Sequence, residues 1–186
     1  MLSETEYEDL LMINGCDAFK QTNYYFDTES FVCFNSKTVI RIREIDGMHE
    51  LTVKTKNPNK GDDGVIAMDE KNKAIDTKRA RALISGKSDI MGCLPHDMLV
   101  FNNKLSYVGA ITTIRKKIRI SEELPMAELD KSIYDDVTDY ELEWEISENE
   151  YNKAIASLKL KGILLEDRKN GLSKYGRLID RLRKEK

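Results

Sequence analysis

The 186-residue chain is poor in cysteine, proline, histidine and net charge, and it has no long apolar run. Cys16, Cys33 and Cys93 are an odd number with no close spacing. That argues against a disulfide framework and against a metal-thiolate site, and it fits reduced thiols in a cytoplasmic protein. With three prolines and ten glycines, no Ser/Gly/Pro-rich linker divides the chain, so residues 1–186 read as a single domain large enough to bury a normal core. The start Met1-Leu2-Ser3-Glu4 lacks a basic segment followed by an apolar one, which argues against a signal peptide, and no stretch is apolar enough for a membrane helix. Thirty basic residues against 33 acidic ones give a formal net charge of -3. Nucleic-acid binding, which calls for one-sided basicity, is therefore not expected, nor is a membrane partner. No internal repeat of fixed period is visible.

What the chain does have is charge arranged in alternation. In Tyr140-Glu141-Leu142-Glu143-Trp144-Glu145-Ile146 the two-residue period puts glutamates on one face of a strand and large apolar side chains on the other. Three other segments alternate with positive charge: Val39 to Arg43, Leu51 to Lys56 and Thr113 to Ile120. A sheet curled so that these faces look at one another would enclose a cavity with many basic groups and one acidic strand, a pairing suited to polyphosphate with divalent cations.

Around these segments, Ser3 and Glu6 form a capping-box pattern that starts a short helix ending near Asn14-Gly15. Gln21 to Asp27 reads as a strand, and Asp46-Gly47 is the strongest hairpin signal, joining two antiparallel strands. A polar loop over 57–64, a strand over Val65 to Glu70 and a helix from Asp76 to Ser85 follow. Strands are expected within Leu99 to Ile120 and Met126 to Ile146, with turns near Asn102-Asn103, Glu122 to Pro125 and Asp135-Asp136. Helices are expected at Glu148 to Leu160 and Leu172 to Lys184. His49 and His96 read as ordinary loop or surface histidines, and Met68, Met91 and Met98 as packing residues.

The ordered motifs Asn23-Tyr24-Tyr25-Phe26-Asp27-Thr28, Arg41-Ile42-Arg43, Leu51-Thr52-Val53-Lys54, Arg115-Lys116-Lys117, Glu128-Leu129-Asp130, Asp139-Tyr140-Glu141-Leu142-Glu143 and Ser173-Lys174-Tyr175-Gly176-Arg177 run over almost the whole chain. In this order the chain resembles the CYTH superfamily, the triphosphate tunnel metalloenzymes, and within it the YjbK-like bacterial proteins. The resemblance implies an α+β fold built on an eight-stranded antiparallel β-barrel forming a tunnel, with flanking helices, a triphosphate-containing small molecule inside it and Mg2+ or Mn2+ as cofactor. A homodimer is compatible with this reading.

Such a site needs arginine and lysine on the phosphates and carboxylates on the metal. Arg41, Arg43, Lys54, Arg115 and Lys117 are the phosphate-binding candidates, with Lys174 and Arg177 closing the tunnel from the C-terminal helix. Glu141 and Glu143 are the leading metal ligands, supported by Asp130 and Glu70, and Glu141, Glu143 and Lys54 are the candidate catalytic residues. A metal bridging two phosphates would polarise the scissile bond and orient the attacking water, so hydrolysis needs no covalent protein nucleophile. Lys56, Lys116 and Arg119 read equally well as surface charges.

Two departures from the family pattern matter. Its first strand carries Glu-x-Glu-x-Lys, whereas Glu4-Thr5-Glu6-Tyr7-Glu8 ends in glutamate and sits in the capping-box helix, so the expectation is a chain lacking that strand. Ala67 stands where relatives often have glutamate. Three readings stay open: a metal-dependent triphosphatase, a weak or inactive polyphosphate- or nucleotide-binding module, and a class IV type adenylate cyclase or thiamine triphosphatase.

Overall fold

The structure, a computed structural model, describes residues 1–57, 68–94, 104–164 and 171–184. Most of the 57–64 loop, Val65 to Ala67, His96, Met98 and the Asn102-Asn103 turn lie outside these residues. Among the described residues seven strands form one sheet in the order β4-β3-β2-β1-β5-β6-β7. With its flanking helices this is the expected α+β architecture. By internal contacts the chain divides into two compact units, Met1–Gln21 with Thr112–Leu172 and Thr22–Ile111 with Ser173–Lys186.

In the first unit, helix α1 (Glu4–Leu11) starts where the capping box predicts. The Glu6 amide donates to Ser3 Oγ at 3.2 Å and the Ser3 amide to Glu6 Oε2 at 2.7 Å. Tyr7 and Leu10 turn inward, Tyr7 lying 4.8 Å from the Tyr140 ring. The segment Glu4 to Glu8 is thus helical, as its capping pattern requires. Past the helix, Lys116 donates its ammonium to the carbonyl oxygens of Leu11 and Ile13 at 2.7 and 3.2 Å, a cation at the negative end of the helix. The chain then runs so close to strand β5 (Ser106–Ile118) that a Cβ on Gly15 would lie 2.1 Å from the Lys117 carbonyl oxygen, and only glycine fits there.

Strand β5 pairs antiparallel with β6 (Ala127–Tyr134), which turns at Asp135 (φ 49°) into β7 (Val137–Glu143). The alternation works as predicted. Tyr140, Leu142 and Trp144 join a core with Ile118, Ala127 and Leu129, and the glutamates take the other face. A capped 3-10 turn at Glu148–Glu150 leads into α4 (Tyr151–Leu160).

The second unit contains most of β1 (Phe19–Asp27), then α2 (Val32–Asn35) and the hairpin of β2 (Val39–Ile45) and β3 (Met48–Lys56). The hairpin turns through Asp46 and Gly47, both at positive φ (50° and 76°), the mirror-image turn that matches strand twist. Strand β4 (Met68–Ile75) pairs with β3 and runs five residues beyond the expected Glu70. Helix α3 (Thr77–Ile84) is capped by Asp76, and α5 (Lys174–Lys184) starts two residues later than expected. Phe26, Ile40, Ile42, Leu51, Val53, Ala80 and Leu83 form the core.

Two sequence expectations fail in this unit. His49 is a buried strand residue, its Nε2 3.7 Å from Glu44 Oε2, because position 49 follows the inward parity of Leu51 and Val53. Met68 is exposed on an edge strand and packs into no core. Among the described residues no helix is long and apolar enough to cross a membrane.

Candidate functional site

Each unit carries one charged face. In the second unit, Ile40 and Ile42 face the core, so Arg41 and Arg43 take the opposite side of β2. Cross-strand pairing extends this face. Arg41 lies opposite Thr52, Arg43 opposite Glu50 and Val39 opposite Lys54, and on β4 Glu70 lies opposite Lys54. Lys54 and Glu70 form a 2.6 Å ion pair. Burial raises the Glu70 pKa, but the hydrogen bond and charge of Lys54 outweigh it, so the carboxyl is held below its ordinary value. On β1 the same parity brings in buried Asn23, Tyr25 and Asp27, with Asn23 Oδ1 accepting from Arg43 Nε at 3.1 Å.

Among the described residues, two buried polar atoms on this face have no hydrogen-bond partner, Arg41 Nε and Thr52 Oγ1. Buried polar groups are normally satisfied, so orphaned atoms on neighbouring residues single the place out. Lys174 is in the first turn of α5, and its charge, with those of Arg41 and Arg43, opposes the burial that raises the Tyr25 pKa. Arg177 is one turn further along the helix.

The first unit's face is acidic. Register places Arg115 opposite Asp130 and Asp130 opposite Glu141, while Lys117 lies opposite Glu128 and Glu128 opposite Glu143. With Asp139, opposite Ser132, five carboxylates therefore share a face with two cations, an excess of three formal negative charges. Arg115 is the hub. Its Nε and one terminal nitrogen donate to the two oxygens of fully buried Asp130 at 2.7 and 2.6 Å. It also donates to Glu143 Oε2 at 2.8 Å and pairs closely with Glu128, which Lys117 approaches at 3.6 Å. Burial alone would lower the arginine's pKa, but hydrogen bonds and charge from Asp130, then Glu143 and Glu128, hold it firmly protonated.

In donor type and in charge this face fits a hard divalent cation. Asp130, Glu128 and Glu143 are nonetheless engaged by Arg115, and among the described residues no group of three or more His, Cys, Asp or Glu is gathered as a metal centre. Glu145 lies beyond the end of β7.

Sequence reasoning singled out Arg41, Arg43, Lys54 and Glu70, which the fold brings to one face, and Arg115, Lys117, Asp130, Glu141 and Glu143, which it brings to another. It assigned no role to Asn23, Tyr25, Asp27, Thr52, Glu128 or Tyr175. The signal for the β1 residues was present, since Gln21, Asn23, Tyr25 and Asp27 form a polar alternation like those of the charged strands.

The family model described as the CYTH domain matches residues 2–175. The chain is 26% identical over 153 residues to "Putative triphosphatase YjbK" of Bacillus subtilis (strain 168), covering 80% of this chain and 75% of that protein. A crystal structure of a "putative adenylate cyclase" from Bacillus halodurans superposes with a TM-score of 0.71 at 24% identity, covering 95% of this chain and 92% of that one. A "putative adenylyl cyclase" from Hippeastrum, reported to have a dominant triphosphatase activity, gives a TM-score of 0.72 at 24% identity, covering 97% and 92%.

Proposed function

The chain belongs to the CYTH family, and from that premise we propose that it hydrolyses inorganic triphosphate or a related triphosphorylated small molecule with the help of Mg2+ or Mn2+. The observation that carries this reading is the basic face of β2 and β3, where Arg41 and Thr52 keep buried polar atoms without partners beside Arg43 and Lys54. Arginine presents a planar fork of donors that matches phosphate oxygens, and Lys54 adds a point charge. Lys174 and Arg177 extend the basic set from α5. Glu141, Glu143 and Asp130 on the first unit, and Glu70 on the second, are the proposed oxygen donors for divalent cation, and Arg115 and Lys117 become available to phosphate as cation takes over the carboxylates that hold them. The bound ion would neutralise phosphate charge and acidify water. The cytosol as compartment rests on three cysteines, all free, one of them exposed.

The test is orthophosphate release from tripolyphosphate in Mg2+ or Mn2+, with ATP incubated in parallel. Metal-dependent phosphate release from tripolyphosphate is expected. Cyclic AMP and pyrophosphate from ATP would replace this reading with a cyclase, and tight binding without release would replace it with a binding module.

A further inference from the structure

The basic face is backed by a buried aromatic stack that the hydrolysis reading does not use. Tyr25, on β1, is 3% exposed, and its ring stacks on that of Tyr175 at 4.6 Å with a 9° interplanar angle. Phe34 meets the Tyr175 ring edge-on at 5.6 Å and 88°, so both rings are confined. The Tyr175 hydroxyl donates to Asp27 Oδ2 at 2.7 Å.

Asp27 is fully buried and itself held. Its Oδ1 accepts from the Thr28 and Cys33 amides at 2.7 and 2.8 Å, and its Oδ2 accepts from the Phe34 amide at 2.9 Å. A carboxylate with four donors is a rigid anchor. At the other end of the stack, β2 is the sheet neighbour of β1, and the two strands touch through Arg43 Nε and Asn23 Oδ1 at 3.1 Å. The charge of Arg41, whose Nε has no partner among the described residues, acts on the Tyr25 hydroxyl.

We propose that Tyr25 and Tyr175 are positioning residues for phosphate binding: Asp27 fixes Tyr175, Tyr175 fixes the ring of Tyr25, and the Tyr25 hydroxyl sets the Arg41 guanidinium. The inference rests on the triphosphate reading above. An arginine side chain has many rotamers to lose when it is ordered. Holding one of its edges in advance reduces the ordering needed when an anion arrives. Burial raises the Tyr25 pKa against the pull of Arg41, Lys174 and Arg43, so the hydroxyl is a neutral phenol at physiological pH and leaves the guanidinium's charge uncompensated. Because Lys174 precedes Tyr175 in the first turn of α5, the same anchor also fixes where that ammonium begins.

The experiment is calorimetric titration of the full chain with tripolyphosphate, using Tyr25→Phe, Arg41→Met and the double variant, with urea unfolding of each. Tyr25→Phe keeps the ring stack and removes one oxygen. It is expected to weaken tripolyphosphate binding about five- to tenfold with an unchanged unfolding midpoint. In the Arg41→Met background the same change is expected to have no effect on binding, which a merely structural role would not predict. Tyr175→Phe should weaken binding and also lower the midpoint, because Asp27 loses a donor.

Parent-like binding by Tyr25→Phe, or an equal loss with and without Arg41, overturns the inference. If the parent binds tripolyphosphate and Arg41→Met weakens it while Tyr25→Phe does not, this inference alone falls. If the parent does not bind tripolyphosphate, the triphosphate reading falls and takes the inference with it.

Discussion

The two charged faces differ in how complete they are. In the first unit, Arg115 holds Asp130, Glu128 and Glu143 in a closed network of charge-assisted bonds. In the second, Arg41 and Thr52 each bury a polar atom that has no hydrogen-bond partner among the described residues. Both faces come from the same sequence device, charge alternating with apolar residues, and the alternation alone does not distinguish them. The difference lies in register. Arg115 falls opposite a carboxylate, whereas Arg41 falls opposite a threonine. A saturated face stabilises the fold by itself, and an unsaturated one waits for a ligand to complete it.

The sharpest way to break this contrast is to remove the hub. Arg115→Met strips fully buried Asp130 of its bidentate partner, and breaking one side of a buried charge pair costs about 3 to 5 kcal/mol, read as a loss in urea unfolding. Millimolar Mg2+ should restore more stability to this variant than it adds to the parent, since the cation can take the place of the guanidinium among the carboxylates. Equal stabilisation of both by Mg2+ would remove the acidic face from consideration as a cation site.

Arg41→Met is the counterpart. Removing an arginine with an orphaned Nε should cost under about 1 kcal/mol or even stabilise, because an unsatisfied buried donor disappears. A loss as large as that of Arg115→Met would make the two faces equivalent and erase the distinction.

The smallest effect concerns pH. Glu70 has its pKa lowered in the fold, so the Lys54–Glu70 pair contributes stability that is present above the carboxyl's ordinary value of 4.5 and is lost as pH falls from there through the lowered value. Both side chains are about a third exposed, so the contribution is about 0.5 to 1 kcal/mol at most. Glu70→Gln should flatten the acid limb of the stability curve by that amount and leave the alkaline limb as in the parent. An unchanged acid limb would show that the pair contributes nothing.

Much of the fold was legible because its signals are local. Ser3 and Glu6 announced α1, Asp46-Gly47 announced the hairpin, and the parity of Tyr140, Leu142 and Trp144 told which side of β7 is core. The halves of the candidate site were legible for the same reason, since a two-residue period assigns faces without any knowledge of neighbours. What could not be read depends on contacts between distant segments. Glu128 meets Arg115 only through the β5–β6 register, and Asp27 and Tyr175 are 148 positions apart. Helix α2 escaped because it has only four residues and is preceded by Phe31 at a φ of 56°, a conformation set by its surroundings rather than by its residue type. His49 escaped because a single histidine near a turn carries no periodicity of its own.

The most direct test of the contrast between a finished and an unfinished face follows the side-chain Nε–H resonances of Arg41 and Arg115 by NMR, assigned with Arg→Lys variants, while tripolyphosphate is added without divalent ion. The account predicts that the Arg41 signal shifts and becomes protected from exchange as its orphaned donor gains a phosphate oxygen, while the Arg115 signal, already bound to Asp130, stays in place. A shift of Arg115 with Arg41 unmoved would contradict it.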